Sequence, residues 1–252
     1  MAWSGPDGRR LYYEDTGRGD TVVLLHGWGG SIIELDHLRR ELVSGFRVVA
    51  VDLPGSGRSE PKPRHYAPGY YLDDARALLG LLDRLEVGVA HLVGFSDGGE
   101  EALLMAALAP GRALSAVTWG AAGRVETSPE MLDALAHVVD APAGPLETLA
   151  AYLVQAYGVA EARIMTESWA GALGAIIESG GDVSRSRAAL ITCPALLITG
   201  THDPFCPPEL VREMADAIPR GEFREATGGG HDVHRSHRGW LVSTVADWLS
   251  DH

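Results

Sequence analysis

Apolar positions along this chain follow two rhythms. Short unbroken runs occur at Thr21–Leu25, Phe46–Val51, Val89–Gly94, Ser115–Trp119 and Ala195–Thr199. Runs of this length and composition read as strands buried on both faces. Between them, apolar residues recur every three or four positions. Ile32, Ile33, Leu35, Leu38 and Leu42 do so behind Ser31, which is the expected N-cap. Tyr70–Leu85 does so through Leu72, Ala75, Leu78, Leu79, Leu82 and Leu85. Helices are also expected over Glu209–Ile218 and through Leu241, Val245, Trp248 and Leu249, and a short strand over Glu222–Glu225. At the start, Ala2–Ser4 and Arg10–Asp15 flank the turn Gly5-Pro6-Asp7-Gly8 and predict a hairpin.

Strand alternating with helix predicts an α/β fold, a mostly parallel sheet with helices on both faces. Residues 123–190 break the alternation. They carry helical patterns over Pro129–Val139, Leu146–Tyr157 and Ala162–Ile177 and no convincing strand. The chain therefore divides into a core of residues 1–122 and 191–252 and a helical insertion, 123–190, expected as a cap over the site. A dimer surface is the other role its pattern allows.

The centre of the pattern is Val89–Met105. Its strand ends at Gly94, and a helix resumes through Ala102, Leu103 and Ala106. Between them stands G-x-S-x-G, Gly94 to Gly98, with Ser96 at the apex. So sharp a turn leaves no room for side chains at the flanking glycines. It also sets Ser96 at a helix N-terminus, where backbone N–H groups are unpaired. Two further turn-rich loops follow strand ends: His26-Gly27-Trp28-Gly29-Gly30, and the stretch from Asp52 to Ser59. In parallel sheets ligands bind at the carboxyl ends of strands, so these loops are expected to gather at one edge.

An activated serine requires a base, and the base requires an orienting carboxylate. Asp203 directly follows the Ala195 strand, and His231 follows the run Gly228-Gly229-Gly230. The order Ser96, Asp203, His231 is the one this architecture uses. His234 and His237 compete for the base, and Asp52 and Asp232 for the acid. His231 is preferred because it falls in the loop after the last strand. Backbone donors for an oxyanion are expected from the N–H of Asp97 and that of Trp28. A carboxylate at Asp97 opposes the charge that builds in acyl transfer, unless a substrate ammonium neutralises it. Alternatively, Asp97 complements the helix N-terminus.

The bulk numbers narrow the class. The 252 residues suit one large α/β domain or two small ones, and 46% hydrophobic with 22% charged residues suits a globular chain. A net charge of −13 argues against nucleic acid and anionic membranes as partners. MAWSGPDGRR lacks the apolar segment of a signal peptide, and no run reaches membrane-span length. Cys193 and Cys206 lack metal-ligand spacing and read as reduced, incidental thiols. His231 and His234 with Asp232 have no further spaced ligand, so no metal is expected. The expectation is a cytoplasmic monomer or homodimer acting on a small molecule without a cofactor.

HGWGG, DLPGSGRS, GFSDGG, GTHDP and GGGHD occur in the order of the α/β-hydrolase superfamily, and the sequence resembles that superfamily over its whole length. The resemblance implies the α/β-hydrolase fold with about eight strands. Serine at the elbow separates the chain from the branches resembling epoxide hydrolases and haloalkane dehalogenases, which carry aspartate there. Gly94–Gly99, Val117–Ala121 and the stretch from Cys193 to Pro204 carry a closer resemblance, to the valacyclovir hydrolase (biphenyl hydrolase-like) family. That resemblance implies hydrolysis of small carboxylic esters, with α-amino acid esters as the narrower expectation and Asp97 binding the amine. The same triad also serves lactone, amide and C–C bond hydrolysis and tailoring cyclisation. A ligand sensor on a hydrolase fold is the non-enzymatic alternative.

Overall fold

The computed structural model describes residues 1–5, 8–144 and 146–252. Its sheet runs in the order β1-β2-β4-β3-β5-β6-β7-β8. The strands are β1 (Ala2–Ser4), β2 (Arg10–Gly17), β3 (Thr21–Leu25), β4 (Arg47–Val51), β5 (Ala90–Phe95), β6 (Ala113–Trp119), β7 (Ala195–Gly200) and β8 (Gly221–Ala226). β1 and β2 form the expected antiparallel hairpin, although Pro6 and Asp7 of its turn lie outside the described residues. β2 meets β4 antiparallel, and every later pairing is parallel.

The central strands are buried on both faces, and their side chains alternate between two cores. Val23 and Leu25 of β3 face one, and Val22 and Leu24 the other. The first core is completed by α2 (Tyr70–Arg84), α3 (Asp97–Leu108) and α7 (Pro208–Ala217), the second by α1 (Asp36–Leu42) and α9 (Arg238–Asp251). Among the described residues no helix is long and apolar enough to cross a membrane.

Ser31 does not cap α1. The chain enters through a 3-10 turn, Ile32–Leu35, and the Ser31 side chain makes no capping bond. Asp52, at the end of β4, accepts the Ile32 N–H at 2.7 Å instead. A neighbouring strand end supplies the acceptor that the local sequence was expected to supply, and Ile33 is left 77% exposed.

Between β6 and β7 lie α4 (Pro129–Ala136), α5 (Leu146–Tyr157) and α6 (Val159–Glu178), with no strand among the described residues. α4 opens as helices do, with Pro129 in its first turn and the Ser128 hydroxyl accepting the Met131 N–H. The two ends of this excursion are tied together. Gly123 O accepts the N–H groups of Val183, Ser184 and Arg185, and Val125 N–H donates to Gly181 O. Glu100, on α3, holds both ends. Its carboxylate accepts from Ala122 N–H at 2.9 Å, Gly123 N–H at 2.7 Å and the Ser184 hydroxyl at 2.6 Å.

Candidate active site

Ser96 stands between β5 and α3 with φ 53° and ψ −120°. This is left-handed backbone, which a non-glycine residue occupies only under tertiary constraint. The turn closes on itself. A Cβ on Gly94 would strike Gly98 O, and one on Gly98 would strike His26 O. The elbow and the loop after β3 are thus packed back to back.

The Ser96 hydroxyl meets His231 Nε2 at 3.0 Å. On the far side of the ring, His231 Nδ1 lies 2.9 Å from Asp203 Oδ2 and 3.1 Å from Oδ1. Asp203 also accepts the N–H groups of Phe205 and Cys206, both at 2.9 Å. Burial works against its charge, but the bonds from His231 and the two backbone donors outweigh burial and hold its pKa below the ordinary range. An ionised Asp203 only accepts, which assigns the proton to Nδ1 and leaves Nε2 to receive the serine hydrogen. The imidazole needs space: a Cβ on Gly120, after β6, would lie 2.7 Å from its Cε1.

Three of the competing residues have other partners. His234 is buried, its Nδ1 lies 3.2 Å from Trp119 Nε1, and burial pushes its pKa down to about 3. His237 Nε2 faces Thr227 O. Asp52 binds the N–H groups of Ile32 and Arg58. Asp232 starts the short helix α8 (Val233–Ser236). Cys206 brings its sulfur within 4.8 Å of the Asp203 and His231 ligand atoms. Burial and the nearby carboxylates push its thiol well above the ordinary range, so the sulfur stays protonated. Cys193 and Cys206 are both free thiols.

The loop of residues 26–30 runs beside the serine. A Cβ on Gly27 would sit 3.4 Å from Ser96 Cβ. His26, made neutral by burial, donates from Nδ1 to Gly27 O at 2.7 Å and accepts Leu53 N–H at Nε2. Gly27 N–H donates to Glu34 Oε2 at 3.0 Å. Among the described residues, neither Trp28 N–H nor Asp97 N–H donates to a carbonyl outside its own helix or strand.

Asp97 is 5% exposed. Tyr71 donates to its Oδ1 at 2.8 Å and Tyr70 to its Oδ2 at 2.9 Å. Burial pushes its pKa up to about 6, against the pull of these two phenols. Trp169 of α6 donates in turn to the Tyr70 hydroxyl at 3.0 Å. Behind Asp97 lie further buried acids. Asp74 pairs with Arg64 and Arg9 and is hydrogen-bonded to Glu101. Burial, and then Asp74, pushes the Glu101 pKa far up, so this pair holds a proton.

Sequence reasoning passed over Tyr70, Tyr71, Arg64, Asp74 and the two glutamates of α3. The signal was present: Glu100 and Glu101 stand in a helix otherwise patterned for complete burial, and such acids must be paired or protonated.

Residues 22–244 match the alpha/beta hydrolase family. The chain is 31% identical over 243 residues to Serine hydrolase BPHL of Homo sapiens, covering 90% of this chain and 79% of that protein. It is 30% identical to the pimeloyl-[acyl-carrier protein] methyl ester esterase of Chromobacterium violaceum, covering 95% and 98%. A thermophilic esterase from Thermogutta terrifontis, solved with malate bound, shares the fold with a TM-score of 0.76. It is 24% identical, over 99% of this chain and 96% of that one.

Proposed function

The chain belongs to the alpha/beta hydrolase family, and within it we propose a serine hydrolase that cleaves small carboxylic esters through an acyl-enzyme on Ser96. The observation that carries this reading is the unbroken hydrogen-bonded chain from Ser96 through His231 to Asp203. Similarity to an enzyme named as a methyl ester esterase supports the ester class.

In this reading Ser96 Oγ attacks the acyl carbon as His231 Nε2 takes its proton. Asp203 keeps the imidazole oriented and stabilises the imidazolium. The tetrahedral oxyanion is met by the N–H groups of Trp28 and Asp97. His231 then delivers the proton to the departing alkoxide, and a water activated by the same imidazole clears the acyl group. These residues complete the cycle without a cofactor. Residues 123–190 act as the cap, since Trp169 reaches down from α6 to Tyr70.

The narrower reading is an ester with a free α-amine. It rests on the buried carboxylate of Asp97, next in the chain to Ser96, whose charge a substrate ammonium would offset. The two phenols already on Asp97 support the alternative, in which its charge is met internally and the acyl group is neutral.

The test is covalent labelling. A fluorophosphonate should modify the wild type once per chain at Ser96 and leave Ser96→Ala untouched. Ser96→Ala should also lose roughly 10⁴-fold or more of ester turnover while keeping its thermal transition. Absence of labelling in wild type would favour a ligand sensor, and release of a lactone, amide or C–C cleavage product in preference to an alcohol would change the substrate class.

A further inference from the structure

The oxyanion loop is held from two sides. His26 and Glu34, both core residues, grip Gly27. The far half, Gly29-Gly30, has no side chain of its own to anchor it, and the insertion supplies the anchor. Tyr157, the last residue of α5, sets its hydroxyl 2.9 Å from Gly29 O and 3.2 Å from Gly30 O. The same oxygen accepts Gly57 N–H at 3.2 Å, from the loop after β4. Leu153, one turn earlier on α5, reaches within 2.9 Å of where a Cβ on Gly29 would stand. The Trp169 ring stacks on Trp28 at 4.1 Å between centroids and 19° between planes.

The connectivity of these bonds matters more than their number. Gly29 C=O and Gly30 N–H belong to one planar peptide unit and point in opposite directions. Gly30 N–H donates to Gly27 O at 3.1 Å. Gly27 C=O in turn shares a plane with Trp28 N–H, the proposed oxyanion donor. The hydroxyl, the first peptide and the second peptide therefore form one line: Tyr157 O–H to Gly29 O, Gly30 N–H to Gly27 O, Trp28 N–H to the site. Each bond orients the next plane, and each donation polarises the next donor.

We propose that Tyr157 is a positioning residue for the oxyanion hole, acting on Trp28 N–H through two peptide units. The insertion thereby tunes the transition state as well as covering the site. The inference rests on the serine-hydrolase reading. It predicts an effect on tetrahedral species and little effect on the bound ester, since the ground-state carbonyl makes less of the oxyanion donors.

Tyr157→Phe keeps the ring and deletes the hydroxyl. Its kcat/KM should fall about tenfold, short of the 100- to 1,000-fold that follows loss of a whole donor. KM should stay within about twofold, and inhibition by phenylboronic acid, which forms a tetrahedral adduct on serine, should weaken by the same factor as kcat/KM. A fall carried by KM, with boronate affinity unchanged, overturns the proposal, as does an unchanged kcat/KM. Failure of phenylboronic acid to inhibit wild type overturns the serine-hydrolase reading beneath it, which separates the two failures.

Discussion

Replacing Glu100 by glutamine should change the pH dependence of stability more than stability itself. The Glu100 carboxylate is buried, and burial pushes its pKa up from 4.5 to about 7 despite bonds from Ser184, Gly123 and Ala122. A folded-state pKa above the unfolded one means that the folded protein binds the proton more tightly. That contribution is fully present below pH 4.5 and is lost as pH rises through 7. The gap between the two values corresponds to about 3 kcal/mol. Glutamine has the same shape and no proton to lose. Its amide oxygen can accept Ala122 and Gly123 N–H, and its amide nitrogen can donate to Ser184 Oγ, whose hydroxyl turns away. The assay is urea denaturation of both proteins from pH 4.5 to 8, reading the difference in unfolding free energy at each pH. Taking the difference removes most of the contribution from Asp97 and Glu101, which also titrate upward. Glu100→Gln should gain on wild type across this range by about 3 kcal/mol at most. Two parallel pH curves, or a variant that loses ground as pH rises, would refute the reasoning.

Four other substitutions test the site. Asp203→Asn should cut kcat by about 10⁴-fold by favouring the wrong imidazole tautomer, measured by steady-state ester hydrolysis; if Asp232→Asn is the damaging change, the acid has been misassigned. Wild type should prefer an L-amino acid ester to its N-acetylated form in kcat/KM, and Asp97→Asn should erase the preference. Equal rates in wild type would leave Asp97 as an internal charge satisfied by Tyr70 and Tyr71. Gly98→Ala should fold poorly, with a melting temperature many degrees lower or no soluble protein, because the added methyl meets the carbonyls of His26 and Leu25. A stable, active Gly98→Ala would mean that the elbow is looser than its packing indicates.

Much of this molecule is written in local pattern. Five apolar runs became five central strands because each is hydrophobic at successive positions, and only a strand covered on both sides can bury both sets of side chains. Ser96, Asp203 and His231 were legible for a related reason. Each follows a strand, a parallel sheet brings strand ends to one edge, and chain order reports which loop each occupies.

What the pattern left open depends on contacts between distant segments. No local rule assigns the cap of the Ile32 turn to Asp52, twenty residues on, in place of Ser31. Nor does any periodicity place two tyrosines of α2 on Asp97, or seat Glu100 where both ends of the insertion meet. Hydrophobic spacing reports which face of a helix turns inward. It does not report which polar group will be waiting there, and a buried acid is settled only by the donors that the whole fold brings to it. The sequence alone determined the sheet, the elbow and the order of the three candidate residues. The tertiary structure alone decided the partners of Asp97 and the line from Tyr157 to Trp28, because both are made of hydrogen bonds between segments far apart along the chain.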